Sequence, residues 1–187
     1  MNISNKVCII TGANSGIGKE TASGLADLDA EVVMLCRNKE KGRKAQNEII
    51  EKTNNKKVHL YLADLSKQAD IRNFVEDFRQ KFDKLHILIN NAGLVLKNRE
   101  ETMDGYEYTF AVNYLAPFLL TNLLLDLLQN ATPSRIINVS ADLYKITHLD
   151  FDDLQSKQNY NRFKVYARSK IALNMFTFDL ARRLETN

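Results

Sequence analysis

Tyr166 and Lys170 stand four residues apart, with Ser169 between them. On a helix that spacing puts both side chains on one face. A cation beside a phenol favours the phenolate, so the tyrosine gives up its proton more readily. The pair is then an acid–base group usable nearer neutral pH. A Tyr and a Lys at this spacing also arise by chance on many helices, so the pair gains meaning only from what the fold places opposite it.

A second group of residues could hold an anion. Val7–Ile10 is a short apolar run of the length of a buried parallel strand. Gly12, Gly16 and Gly18 follow in one turn, and from Ile17 onward the apolar residues Ile17, Ala22, Leu25, Ala26 and Leu28 fall mostly on one helical stripe. A strand, a glycine turn and a helix start together point free N–H groups and the positive end of a helix dipole at the turn. Glycine lets a pyrophosphate approach without a Cβ in the way. The spacing is G-x-x-x-G-x-G rather than GxGxxG, and an ordinary strand-to-helix turn is the plain alternative.

Other candidates lie at the ends of apolar runs. Arg37 follows the run Glu31–Cys36, where an NAD site wants a carboxylate for the ribose 2′-hydroxyl. A planar cation there suits a 2′-phosphate instead and favours NADP over NAD; the alternative is a surface charge opening a loop. Asp64 could accept from an adenine amino group, or serve as a turn residue before a helix cap at Ser66. Asn91, Ala92 and Gly93 would let the chain lie close to a ribose, or simply form an Asn-rich turn.

The elements that must position these residues alternate. Strands are expected at 7–10, 31–36, 58–62, 85–90 and 135–140. Helices are expected from 17, then at 38–52, 66–82, 104–129 and 163–184, with a polar loop over 142–161. Strands alternating with helices imply a doubly wound parallel α/β sheet, Rossmann-like, with ligands outside the carboxyl ends of the strands. The 187 residues suffice for one domain with a sizeable core. Lys plus Arg number 26 against 23 Asp plus Glu, so the net charge of +3 is too mild and too evenly spread to argue for nucleic acid. Cys8 and Cys36 fall in or at the end of core strands and read as small buried hydrophobes in a reducing compartment. The most apolar run, 115–128, contains Pro117, Asn122 and Asp126 and reads as a core helix rather than a membrane span. Met1 is followed almost at once by the first strand, which leaves no room for a leader, and the cytoplasm is the expected location. His59, His86 and His148 lack metal-ligand spacing, so no metal is expected.

Four motifs in order carry a resemblance: TGANSGIG at 11–18, NNAG at 90–93, Asn113, and Tyr166-Ala-Arg-Ser-Lys170. Over essentially its whole length the chain resembles the short-chain dehydrogenase/reductase family. CRNKEKG at 36–42, DGYEYTFAVN at 104–113 and FLLTNLLLDLL at 118–128 make it most like the retinol dehydrogenase group. The resemblance implies hydride transfer between NADP(H) and a lipophilic alcohol, aldehyde or ketone. It implies that Tyr166 moves the proton at the substrate oxygen, that Lys170 holds the nicotinamide ribose, and that Asn113 anchors a relay water. It assigns Gly12, Ser15, Gly16, Ile17 and Gly18 to the pyrophosphate, Arg37 to the 2′-phosphate, Asp64 and Leu65 to the adenine, and Asn91, Ala92 and Gly93 to the adjoining ribose. Pro117, four residues after Asn113, has no N–H, so the carbonyl of residue 113 loses its helical partner and could hold that water, or the proline could be a plain kink. A homodimer through helices 104–129 and 163–184 is implied as well, although core burial accounts for their apolar faces equally.

Two departures from the family pattern stand out. Its further catalytic group is the second Ser of a Val-Ser-Ser run, and here the run reads Val139-Ser140-Ala141. Aligning on Tyr166 places the position on Ala141. That leaves Ser140 as the candidate hydroxyl, provided the strand has ended or twisted before it. A catalytically impaired NADP-binding or interaction protein is therefore the competing expectation. The family pattern also continues past the last helix into further strands and a lid, whereas this sequence stops at Asn187, so a C-terminally shortened domain with strand five as an exposed edge is expected.

Overall fold

The structure is a computed structural model describing residues 2–185. Five parallel strands form one sheet in the order β3-β2-β1-β4-β5. β1 (Val7–Thr11) lies at the centre and is buried throughout. It is flanked by β2 (Glu31–Cys36) and β4 (Ile87–Asn90), with β3 (Val58–Leu62) and β5 (Arg135–Asn138) outermost. Its register pairs Val7 with Glu31 and Thr11 with Leu35 on one side, and Cys8 with Ile87 on the other.

Successive side chains of a strand point to opposite faces, and this alternation builds two cores. Ile9, Val33, Leu35 and Leu88 pack with Phe74, Phe78 and Leu120 on one face. Cys8, Ile10, Val32, Met34 and Ile89 pack with Ala22, Ala26, Ala45 and Ile49 on the other. The helices that supply these residues are α1 (Gly16–Asp27), α2 (Lys39–Thr53) and α3 (Gln68–Lys81), followed by the helical stretch from residue 108. The order of strands reverses at β1: the chain leaves it through β2 to β3, then returns to its other side with β4. That reversal opens a crevice outside the carboxyl ends of β1 and β4.

The expected helix over 104–129 is several pieces. α4 (Tyr108–Phe110) leads into a π-helical turn, Ala111–Leu115, then α5 (Ala116–Leu123) and α6 (Leu125–Gln129). In the turn, the N–H of Ala116 donates to the carbonyl of Ala111, five residues back. Pro117, which cannot donate at all, comes next. The first turn starts at residue 108 because the Glu107 carboxylate, fully buried, accepts from the N–H groups of Thr109 and Phe110 at 3.0 and 2.6 Å.

Ser66 does not cap α3. Its hydroxyl donates to Asp64 Oδ1 at 2.8 Å, and the first N–H of the helix, at Gln68, donates to Asp104 Oδ2 at 2.8 Å. The fifth strand ends at Asn138, so Val139 and Ser140 lie beyond it, and among the described residues β5 pairs with β4 alone. α7 (Arg162–Glu185) closes that side, packing Leu173, Phe176 and Leu180 against Ile136 and Tyr114. No helix among the described residues is long and apolar enough to cross a membrane.

Candidate active site

The glycine turn is shaped by close approach. Gly12 and Gly16 have φ of +69° and +53°, which favour glycine. A Cβ on Gly18 would stand 2.4 Å from Asn91 Nδ2 and 2.5 Å from the Gly12 carbonyl oxygen. Thr11, at the end of β1, knits this turn to the end of β4. Its Oγ1 accepts from the N–H groups of Asn91 (3.0 Å) and Ala92 (2.9 Å), and its carbonyl accepts from Asn91 Nδ2 at 2.9 Å. Gly18→Ala is therefore expected to cost about 1–3 kcal/mol through overpacking, lowering the urea midpoint accordingly, and to disturb the turn it shares with Asn91.

A cleft of about 400 Å³ lies over these strand ends. Gly12, Ser15, Ile17, Gly18, Arg37, Asp64, Leu65, Asn91, Ala92 and Gly93 all line it, so nearly every residue expected to bind a nucleotide is brought to one place. Gly16 is exposed in the same turn. A Cβ there would meet none of the described atoms within 4 Å, so the turn faces open space. Ile17, 70 % exposed, lies in the first turn of α1, whose leading N–H groups have no partner within the helix. Arg37 Nη1 donates to Tyr108 Oη at 3.1 Å. Asp64 Oδ1 is held by both the N–H and the hydroxyl of Ser66.

Tyr166 and Lys170, the residues expected to exchange the proton, meet just past the end of β5. Lys170 Nζ sits 5.6 Å from the centre of the Tyr166 ring. Lys170 is buried, and burial pushes its ammonium down to about 8. It donates to the Val139 carbonyl at 2.7 Å, just past β5. Asn113 is buried within the π-helical turn. Its Oδ1 accepts from the Leu94 N–H at 2.9 Å, and its Nδ2 donates to the Leu94 carbonyl at 2.9 Å and to Ser169 Oγ at 3.1 Å. Ser169 in turn donates to the Tyr166 carbonyl at 2.6 Å. A Cβ on Gly93 would lie 3.4 Å from Asn113 Oδ1 and 3.8 Å from Lys170 Nζ, so this glycine is where the two sets of residues touch. Asn113 thus fixes both the chain after β4 and the Tyr166 helix. Ser140 is exposed beyond the end of β5, and Ala141 starts the short 3₁₀ helix Asp142–Ile146.

Thr11, Glu107, Tyr108 and Val139 were not legible as site residues. Thr11 stands inside the glycine motif and looks like a strand end. Glu107 looks like one more charge on a helix surface, because nothing in its neighbourhood marks it as buried.

A doubly wound parallel sheet, with a glycine turn after its first strand and a Tyr–Lys helix beside its fifth, defines a Rossmann-like protein. The chain belongs to the short chain dehydrogenase family, whose pattern it matches over residues 6–187. It is 45% identical over 185 residues to human Retinol dehydrogenase 12, covering 99% of this chain and 58% of that protein. It is 42% identical over 184 residues to human Polyprenol dehydrogenase, covering 96% and 56%. The resemblance to retinol dehydrogenases is therefore borne out, and the chain spans a little over half the length of these relatives. Among solved structures, an uncharacterised protein from Mycobacterium paratuberculosis superposes with a TM-score of 0.85 at 32% identity, covering 99% of this chain and 65% of that one. A metagenomic short-chain oxidoreductase solved in complex with NADP gives 0.80 at 27% identity, covering 100% and 79%.

Proposed function

We propose that this chain binds NADP(H) across the strand ends and carries the acid–base residues for interconverting a lipophilic alcohol with its carbonyl compound. The observation that carries the reading is the meeting, at Gly93, of the nucleotide-sized cleft with Asn113 and Lys170, with Tyr166 beside Lys170.

The cleft fits the cofactor by its own chemistry. Glycines leave room at the turn, α1 presents its N-terminus, and Arg37 supplies a cation at the end of β2 where a carboxylate would favour NAD. Gly12, Ser15, Gly16, Ile17 and Gly18 would hold the pyrophosphate, Arg37 the 2′-phosphate, Asp64 and Leu65 the adenine, and Asn91, Ala92 and Gly93 the adjoining ribose. When bound, the nicotinamide supplies or accepts the hydride. Tyr166 holds the proton exchanged with the substrate oxygen. The Lys170 ammonium places positive charge beside that phenol. Asn113 and Ser169 keep the helix carrying both against the chain after β4.

Relatives named for retinol and polyprenol support a lipophilic substrate. So do the exposed apolar side chains of Phe163, one turn before Tyr166, and of Leu143 and Tyr144 in the 3₁₀ helix packed on α7.

The test mixes the purified chain with NADPH and all-trans-retinal and follows absorbance at the nicotinamide band. Turnover supports the full reading. NADPH binding with turnover seen only after Ala141→Ser assigns the deficit to the missing hydroxyl, a donor whose loss costs about 100-fold by analogy with oxyanion donors. Absence of NADPH binding overturns the reading.

A further inference from the structure

Arg37 is exposed, and a long exposed guanidinium samples many rotamers that it must surrender when it grips a phosphate. Among the described residues lining the cleft, Arg37 is the one cation and Asp64 the one anion. Asp64 is engaged by Ser66, whereas the Arg37 side chain reaches from the end of β2 to the first turn of α4, where Nη1 donates to Tyr108 Oη at 3.1 Å.

That hydroxyl stands on a firm base. The Tyr108 N–H donates to the Glu100 carbonyl at 3.0 Å, the turn is capped by the buried Glu107, and Val112, four residues on, lines the cleft itself. Tyr108 is half-buried. Its oxygen accepts from Arg37, which leaves its own O–H proton able to donate to a further acceptor.

We propose that Tyr108 is a positioning residue for 2′-phosphate recognition: it holds the Arg37 guanidinium at the mouth of the cleft, so that NADP(H) is selected over NAD(H). This rests on the NADP reading above and adds to it a residue that the nucleotide motifs do not contain. Orienting the guanidinium beforehand removes part of the ordering cost of binding. The remaining N–H donors of its fork stay free for phosphate oxygens. Ligands lacking the 2′-phosphate gain nothing from the arrangement.

The experiment measures binding of 2′,5′-ADP, 5′-AMP, NADPH and NADH to the chain by calorimetry, for the parent, Tyr108→Phe and Arg37→Gln. Tyr108→Phe removes one neutral hydrogen-bonding group, so affinity for 2′,5′-ADP and NADPH should fall about 3- to 10-fold. Affinity for 5′-AMP and NADH should stay within about twofold, as should the thermal midpoint remain that of the parent. Arg37→Gln should abolish the preference altogether. A Tyr108→Phe variant that weakens all four ligands alike, or none of them, while Arg37→Gln still erases the preference, overturns the role of Tyr108 and leaves the NADP reading standing. If Arg37→Gln leaves the preference unchanged, the NADP reading falls and this proposal falls with it.

Discussion

Tyr166→Phe should lower NADPH-dependent carbonyl reduction about 10²- to 10⁴-fold, the usual contribution of a positioned general acid–base group. The change deletes one hydroxyl from a half-buried ring and leaves the packing of α7 intact, so the midpoint of unfolding should barely move. NADPH affinity should stay within about threefold, because the glycine turn and Arg37 are untouched. Other tyrosines in the chain are poorer candidates. Burial raises Tyr61 and Tyr114, making them weaker acids. Tyr160 is raised by burial as well, and its hydroxyl is already spent on the Leu96 carbonyl at 2.9 Å. Lys145 also stands 5.7 Å from the Tyr144 ring centre, but Tyr144 lies in the exposed 3₁₀ helix, whereas the lysine beside Tyr166 is buried. The measurement is initial rate at the nicotinamide band, with binding followed separately by fluorescence. A loss smaller than about tenfold would move the acid–base role to another group.

The sheet was legible because its strands are short apolar runs separated by helices, and that rhythm survives any local irregularity. β1 to β4 fall within a residue or two of where the runs place them. The fifth strand stops at Asn138 because pairing with β4 runs out at Asn90, a limit set by the partner rather than by the residues of the run itself. The region 104–129 was the least legible. Its apolar pattern fits a continuous helix, but a π-helical turn interrupts it before Pro117, a second break falls at Leu124, and it is started late by Glu107, whose burial depends on the fold closing over it. Within the site, the glycines, Arg37 and the Tyr166–Lys170 pair could be read from residue type and spacing. The partners that hold them could not, because they arrive from distant parts of the chain: Thr11 to Asn91, Asn113 to Ser169, Arg37 to Tyr108. Long-range hydrogen bonds leave no periodic trace.

Lys170→Met should stabilise the fold at neutral pH relative to the parent while removing most of any turnover. Burial holds the folded-state ammonium at about 8, against an ordinary lysine value of 10.5. Between those values the unfolded chain still binds a proton that the folded chain has released, so stability rises with pH across that window and is lost again as pH falls through 8. Each tenfold change in proton affinity is worth about 1.4 kcal/mol. The difference in unfolding free energy between parent and variant should therefore move by about 2–3 kcal/mol between pH 7 and pH 10, in favour of the parent at the higher pH. Urea unfolding at the two values measures it. Parallel pH curves for the two proteins would mean that Lys170 is not held in a desolvated site. The hydrogen bond to the Val139 carbonyl offsets part of the burial cost and fixes where the charge sits, 5.6 Å from the Tyr166 ring centre. A methionine would fill the same space without that penalty, so packing alone does not favour lysine here. A buried lysine costs stability but serves the chemistry proposed for this site, so the variant should be the more stable protein at pH 7 and the poorer catalyst.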